Sequence, residues 1–153
     1  MPSEIDIMVT SPDSADVKLV AEVKLRLKDT AVAERQLKDR MLQLSCPVGL
    51  IITPETMSIY SDQYKSTKPE SIEKIGRFPI GHLLDFSPSR AGTAEGSSDA
   101  LYFETFVQSW LENLPQTATP EHVNNSEFWR ILNIYVLPAI ENGKVRAAAP
   151  RYR

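Results

Sequence analysis

The amino-acid sequence predicts an α/β protein in which helices flank a mixed β-sheet, with a C-terminal helical extension. Two segments near the start alternate polar and apolar residues, as half-buried strands do. An amphipathic segment follows them and leads into a wholly apolar run, which is typical of a strand covered on both faces. A helix that connects strands of one sheet indicates a layered α/β architecture.

The first two predicted strands face each other across a turn. Residues 4–9 form the first strand, and residues 17–28 alternate polar and apolar side chains over their whole length. The segment between them, 10–16, is rich in Ser, Pro and Asp, which favours a turn. We therefore expect an antiparallel hairpin in which Glu22 and Lys24 share one face of the second strand.

A helix and two more strands are predicted to complete the sheet. Asp29 supplies helix-start chemistry for a helix over residues 31–45, and Pro47 ends it. The apolar run 48–53 predicts a buried third strand, and residues 57–60 predict a short fourth one.

The rest of the chain is predicted to be mainly helical. Residues 61–86 look irregular, with a short element near their end, and residues 87–99 have the Ser- and Gly-rich composition of a flexible linker. Helices are expected over 100–113 and 126–141, and Asn142-Gly143 is a signal for the end of the second one.

These patterns divide the chain into three parts. Residues 1–86 are expected to form the α/β core, and 87–99 the linker. Residues 100–153 are expected to form a helical region that packs on the core and ends in a mobile basic tail at 144–153.

The composition indicates an ordinary globular chain. Of 153 residues, 42% are hydrophobic and 24% are charged, and the formal net charge is -3. The chain is not polybasic, so a nucleic-acid site would have to be a local basic patch. Cys46 is the only cysteine, which excludes an intrachain disulfide and argues against a cysteine-based zinc site. The sequence contains no signal-peptide pattern and no apolar run of membrane-spanning length, so a cytoplasmic location is expected.

Three side chains of the hairpin form the candidate catalytic site. Glu22 and Lys24 share a face, and Asp6 joins them if it lies opposite Val20 or Glu22. Either register places the two carboxylates roughly 5–8 Å apart at Cβ. Such a pair can share Mg²⁺, which prefers oxygen ligands and keeps several waters. The ammonium of Lys24 can then orient an attacking water or neutralise phosphate charge. The same pattern also occurs on solvated strand faces that have no catalytic role.

Residues 4–60 resemble the PD-(D/E)XK nuclease superfamily. The resemblance lies in the hairpin segments 5–9 and 19–24, in the helix that carries Gln36, and in the apolar run 46–53. This order is similar to that of the nuclease domain of type I restriction enzymes. The resemblance implies a restriction-endonuclease-like mixed sheet flanked by helices.

The same resemblance implies a Mg²⁺- or Mn²⁺-dependent nuclease that acts on DNA. Asp6 and Glu22 would be the carboxylate ligands of the metal, and the backbone carbonyl of Val23 would be a third ligand. Lys24 would orient the attacking water, and Gln36 would be an accessory catalytic group.

The sequence departs from the family pattern before Asp6, where members usually have a helix and a strand. Either that piece is missing, or later helices take its place, or a partner covers the sheet edge, for instance a second copy in a homodimer. Pro12-Asp13 is not the family's acidic pair, because it lies in the turn. Two other hypotheses stay open. One is a catalytically inactive nuclease-like module that binds a partner through its C-terminal helices, and the other is an unrelated fold in which Glu22 and Lys24 lie on a solvated face.

Other reactive residue types are expected to be structural. His82 and His122 lack metal-ligand spacing. Cys46 precedes a proline at a helix end, where a small structural residue is expected. Trp110 and Trp129 follow helical spacing, which favours core positions over base stacking.

Overall fold

The computed structural model describes residues 6–13, 15–84, 96–117 and 126–147, and a six-stranded sheet lies at its centre. The strands are β1 Ile7–Thr10, β2 Val17–Val23, β3 Val48–Ile52, β4 Thr56–Asp62, β5 Ile72–Pro79 and β6 Lys144–Ala147. The α-helices are α1 Thr30–Gln43, α2 Gly81–Leu84, α3 Gly96–Glu112, α4 Leu114–Thr117, α5 Glu127–Ile131 and α6 Leu137–Glu141. A 3₁₀ turn, Pro69–Ser71, precedes β5, and a π-helical turn, Leu132–Val136, joins α5 to α6.

The sheet is mixed, with the strand order β5-β4-β3-β2-β1-β6. The first two strands form the expected antiparallel hairpin, in which Ile7 lies opposite Ala21. Helix α1 then crosses to β3, which runs parallel to β2. Strands β3, β4 and β5 form an antiparallel meander, and β6 pairs antiparallel with β1. The prediction of a mixed sheet flanked by helices in an α/β fold is confirmed.

Both faces of the sheet are covered. On the α1 face, Val20, Ile51 and Tyr60 belong to one apolar cluster with α1, to which the helix contributes Ala33, Leu37 and Met41. On the opposite face, which we call the α3 face, the sheet packs against α3 and the helices that follow it. That cluster includes Leu19, Ala21, Val23, Phe103, Val107, Leu111, Leu132 and Val136. The sheet is therefore the middle layer of three.

Helix α1 lies close against the sheet. Its N-cap is Asp29, whose side chain accepts a hydrogen bond from Val32 N at 3.2 Å. The predicted apolar stripe is buried against β3, and a Cβ at Gly49 would lie only 2.6 Å from Met41 Sδ. Glycine at this position therefore permits the close approach of helix and strand.

Strand β2 is shorter than the predicted 17–28. It ends at Val23, and residues 24–29 form an irregular connection to α1. Lys24 N still donates to Ile52 O at 2.9 Å, but β3 ends at Ile52. Beyond that point no described strand continues the ladder, and Leu27 packs against the α1-face cluster.

Strand β5 was not predicted, because residues 61–86 looked irregular. It is an edge strand, and most of its side chains are exposed or half-buried. An edge strand buries too little of either face to produce a regular alternation of polar and apolar residues.

The C-terminal segment differs from the prediction at both of its ends. Of the linker expected at 87–99, residues 96–99 belong to α3, and the others lie outside the described residues. Of the mobile basic tail expected at 144–153, Lys144–Ala147 form β6, and 148–153 also lie outside. The prediction was wrong for β6 because Val145 is buried opposite Val9, while its two basic neighbours point to solvent.

The expected helix over 126–141 is interrupted. Ser126 caps α5 by accepting from Trp129 N, and the π-helical turn then lets Leu137 N donate to Leu132 O. Pro138 has no N–H to donate, so a regular helical hydrogen bond is missing at this point. Within the described ranges, no helix is both long and apolar enough to cross a membrane.

Candidate active site

Asp6 lies just before β1, beside the end of β2. The pairs Ile7–Ala21 and Met8–Val20 set the register of the hairpin. Continued by one residue, this register places Asp6 opposite Glu22, which is one of the two arrangements that the sequence allowed. The backbone N–H of Asp6 donates to Ala21 O at 3.1 Å, so the strand is still held at this point.

The Asp6 carboxylate is held by the backbone of β2. Its Oδ2 accepts a hydrogen bond from Val23 N at 2.7 Å. A charged acceptor at this distance makes a strong hydrogen bond. It fixes the carboxylate over the residue that lies between Glu22 and Lys24. The hairpin thus places Asp6, Glu22, Val23 and Lys24 near the same end of β2.

Glu22 is on the α1 face and is fully buried. It lies two residues after Val20, whose side chain packs with α1, and its own relative exposure is 0%. The polar face of β2 is therefore covered rather than solvated at this position. One alternative placed both Glu22 and Lys24 on a solvated face, and for Glu22 that expectation is wrong.

Lys24 lies beside this buried carboxylate. Its Nζ is 3.9 Å from Glu22 Oε1, and its side chain is 34% exposed. The separation permits a Coulomb interaction but exceeds the reach of a direct hydrogen bond. The three N–H donors of the ammonium can therefore point toward a water or an oxyanion at the surface.

A groove adjoins Lys24 and runs along the start of α1. Its volume is about 280 Å³, and it is lined by Lys24, Arg26, Leu27, Lys28, Asp29, Val32, Ala33 and Gln36. Gln36 is half-buried and lies in the same groove as Lys24, so the helix places the predicted accessory residue on the side of the site. Arg26 and Lys28 were not predicted to belong to the site, although both are basic and occupy alternate positions after Lys24.

The donor set suits a hard cation. Asp6 and Glu22 supply carboxylates, and Val23 supplies a backbone carbonyl at the same end of the hairpin. Among the residues that the structure describes, no group of three or more His, Cys, Asp or Glu is positioned to hold a metal ion. Two carboxylates, a carbonyl and water are a set that Mg²⁺ or Mn²⁺ accepts, whereas zinc takes three or four His, Cys or carboxylate ligands.

A second polar cluster on the α1 face was not predicted. Tyr60 Oη donates to Glu34 Oε2, and Lys74 Nζ lies 2.9 Å from the same oxygen. Partial burial acts to raise the pKa of Glu34, but these two partners together lower it below its ordinary value. Burial, followed by the Glu34 carboxylate, raises the pKa of Tyr60. The cluster joins α1, β4 and β5, so no local sequence pattern signals it.

Among the described residues, the remaining reactive side chains do not form a second site. Cys46 is buried and its thiol donates to Val48 O at 3.2 Å, and burial raises its pKa to about 11. His82 is exposed on the short helix α2, while His122 lies outside the described residues. Trp129 is buried in the α3-face core, as expected.

No protein-family model, curated protein or solved structure matches this chain.

Proposed function

We propose that this protein is a Mg²⁺- or Mn²⁺-dependent phosphodiesterase that cleaves DNA with a PD-(D/E)XK-type site. The observation that carries this proposal is the fully buried carboxylate of Glu22 next to Lys24, with Asp6 bound to the intervening residue.

Burying an ionised carboxylate costs several kcal/mol after the protein has relaxed. At about 4 Å and an effective dielectric constant near 20, the attraction of an ammonium to the carboxylate offsets at most about 4 kcal/mol of this cost. Lys24 is one-third exposed, so solvent screens the pair and weakens the attraction further. The pair is therefore a poor source of stability. A buried titratable group beside a charged side chain at the edge of a cleft is typical of functional sites.

The residues of the hairpin fit a divalent metal. Asp6 and Glu22 would hold it through their carboxylates, and Val23 through its carbonyl. An ionised carboxylate has about four lone-pair sites, so it can accept protein hydrogen bonds and also bind a cation. When bound, such an ion supplies positive charge that makes a water more acidic and stabilises charge on the phosphate.

Lys24 and Gln36 would act on the water and the phosphate rather than on the metal. Lys24 lies close enough to the Glu22 carboxylate to orient a water against the phosphorus, and its charge favours the deprotonated nucleophile. The amide of Gln36 can donate to a phosphate oxygen or accept from the water. Catalysis here consists mainly of positioning and charge stabilisation.

The topology supports a restriction-endonuclease-like fold. The order of antiparallel hairpin, crossing helix and parallel buried strand is the order on which the family resemblance rests. β6 and the helices before it lie beside β1, where members of that family usually have an upstream helix and strand. Of the three possibilities that the sequence left open, this arrangement favours later elements taking that place. The edge of β1 needs no partner chain to cover it. The proposal also keeps the cytoplasmic location expected from the sequence.

Isothermal titration with Mg²⁺ and Mn²⁺, combined with cleavage of labelled single- and double-stranded DNA, tests the proposal. Asp6→Ala should lose metal binding and cleavage together, while Lys24→Ala should lose cleavage and keep metal binding. Lys18→Ala is the matched control, because it removes the charge of a lysine that lies earlier, on β2. It should retain metal binding and cleavage. Absence of metal binding to the unmodified chain, or undiminished cleavage by Lys24→Ala, would refute the proposed site.

A further inference from the structure

The groove beside Lys24 has a combination of charge and apolar surface that the hydrolytic chemistry does not require. We propose that it binds one nucleotide of a single-stranded DNA segment next to the cleaved bond. Arg26 and Lys28 would contact its phosphate, and Leu27, Val32 and Ala33 would contact its base. This inference rests on the proposed function and adds the kind of DNA that the site accepts.

The groove carries an excess of positive charge. Lys24, Arg26 and Lys28 all line it, and Arg26 and Lys28 are exposed and form no ion pair with another described residue. The acidic residue of the lining is Asp29, whose carboxylate is turned to α1 and accepts from Val32 N. Lys24 lies beside the Glu22 carboxylate, so the positive charge that a ligand meets comes mainly from Arg26 and Lys28, and both attract an anionic group. The excess is local, because the whole chain has a formal net charge of -3.

The groove also has an apolar floor. Val32 lies in the first turn of α1 and is 44% exposed, while Leu27 is half-buried against the α1-face cluster. Ala33 is buried directly beside them. An apolar surface bordered by cations matches a ligand that has both an anionic group and an uncharged planar part.

The size of the groove agrees with such a ligand. A volume of about 280 Å³ corresponds to roughly nine waters at ~30 Å³ each. This space exceeds what a phosphate group alone would fill and leaves room for a sugar and a base. In a duplex the bases are stacked and paired, so a base can reach this floor only from a single strand or a frayed end.

The competing explanation is that the long stems of Arg26 and Lys28 merely cover apolar surface. That explanation predicts no dependence of DNA affinity on these two residues beyond their net charge. A control that removes the same charge elsewhere therefore separates the two explanations. Lys65 and Lys68 provide it, because both are exposed on the β4–β5 connection, at the opposite end of β3 from the site.

The affinity test uses a short fluorescent oligothymidylate and a blunt duplex of the same length, measured by anisotropy in EDTA. The unmodified chain should prefer the single strand. The double substitution Arg26→Gln/Lys28→Gln should weaken binding of the single strand at least about tenfold. It should also make the slope of log K against log salt concentration shallower by about 0.7 for each phosphate contact that is lost. Lys65→Gln/Lys68→Gln should leave affinity within about twofold. Equal losses in the two double variants, or equal affinity for duplex and single strand, would overturn the inference.

A second variant tests the floor. Val32→Ser should weaken binding of oligothymidylate but not of an abasic oligonucleotide of equal length, because only the former has a base to contact the floor. Equal effects on both probes would overturn the base contact. Since these measurements exclude divalent metal, they fail or succeed independently of the metal titration that tests the proposed function.

Discussion

Replacing Glu22 by glutamine separates a metal-binding role of this carboxylate from a structural one. The substitution keeps the volume of a fully buried side chain, removes its charge and replaces one acceptor oxygen by an NH2 donor group. Without metal, two terms of comparable size are lost together. One is the burial cost of several kcal/mol, and the other is a screened attraction to Lys24 of at most about 4 kcal/mol. We therefore expect the free energy of unfolding of Glu22→Gln to lie within about 1 kcal/mol of that of the unmodified protein.

With metal, the two proteins should differ. A ligand at a hundred times its Kd stabilises the native state by about 2.7 kcal/mol. For a domain of this size each kcal/mol changes Tm by about 2–4 °C. Saturating Mg²⁺ should thus raise the Tm of the unmodified protein by about 5–10 °C, and that of Glu22→Gln by much less.

Thermal unfolding followed by circular dichroism, with and without Mg²⁺, measures both effects. Glu34→Gln is the matched control, because Glu34 is another carboxylate of the α1 face that pairs with a lysine. It should keep the full response to Mg²⁺. Equal stabilisation of Glu22→Gln and of the unmodified protein by Mg²⁺ would refute a metal-binding role of Glu22. Destabilisation of Glu22→Gln by more than about 3 kcal/mol without metal would show instead that the carboxylate is structural.

Three further predictions concern the framework of the fold. Gly143→Ala should cost about 1–3 kcal/mol in urea unfolding, since a Cβ there would lie 2.5 Å from a side chain of β1, while Gly81→Ala, with a nearest contact of 3.7 Å, should be tolerated. Tyr60→Phe should cost about 1 kcal/mol at neutral pH by removing the hydrogen bond to Glu34. Because that bond helps to depress the pKa of Glu34 below its ordinary 4.5, the difference from the unmodified protein should be largest above pH 4.5 and shrink as pH falls, which pH-dependent unfolding would show or contradict. Cys46, with a pKa raised from 9.0 to about 11, should react with iodoacetamide about a hundredfold more slowly than an unfolded thiol, and native reactivity equal to that in urea would contradict its burial.

The elements that the sequence predicted well are those in which one local pattern decides the structure. The alternation around Leu19, Val20 and Ala21 assigns each side chain to a face of the sheet, and the structure keeps that assignment. Asp29 begins α1 by the capping interaction that its residue type favours. The same parity argument placed Glu22 and Lys24 on one side, which is why the site could be named at all.

What could not be predicted depends on contacts between distant parts of the chain. The burial of Glu22 follows from the packing of α1 over the sheet, and no pattern within β2 distinguishes a covered polar position from a solvated one. The cluster of Glu34, Tyr60 and Lys74 likewise needs three elements in place at once. Leu27 is another example. The alternation of β2 places it on the same side as Leu19 and Ala21, but the strand ends before it and its side chain packs on the α1 face.

Strand β6 changes how the C-terminal part of the chain relates to the candidate site. All four residues of β1 pair with β2 on one side and with β6 on the other. Asp6 immediately precedes that strand, so its position is set by hydrogen bonds to β2 and by a β1 that is no longer at a sheet edge. Val145 contributes to the same apolar core as the helices of the α3 face. The C-terminal helices and β6 are therefore part of the framework that positions the Asp6 carboxylate, rather than an extension attached to a finished core.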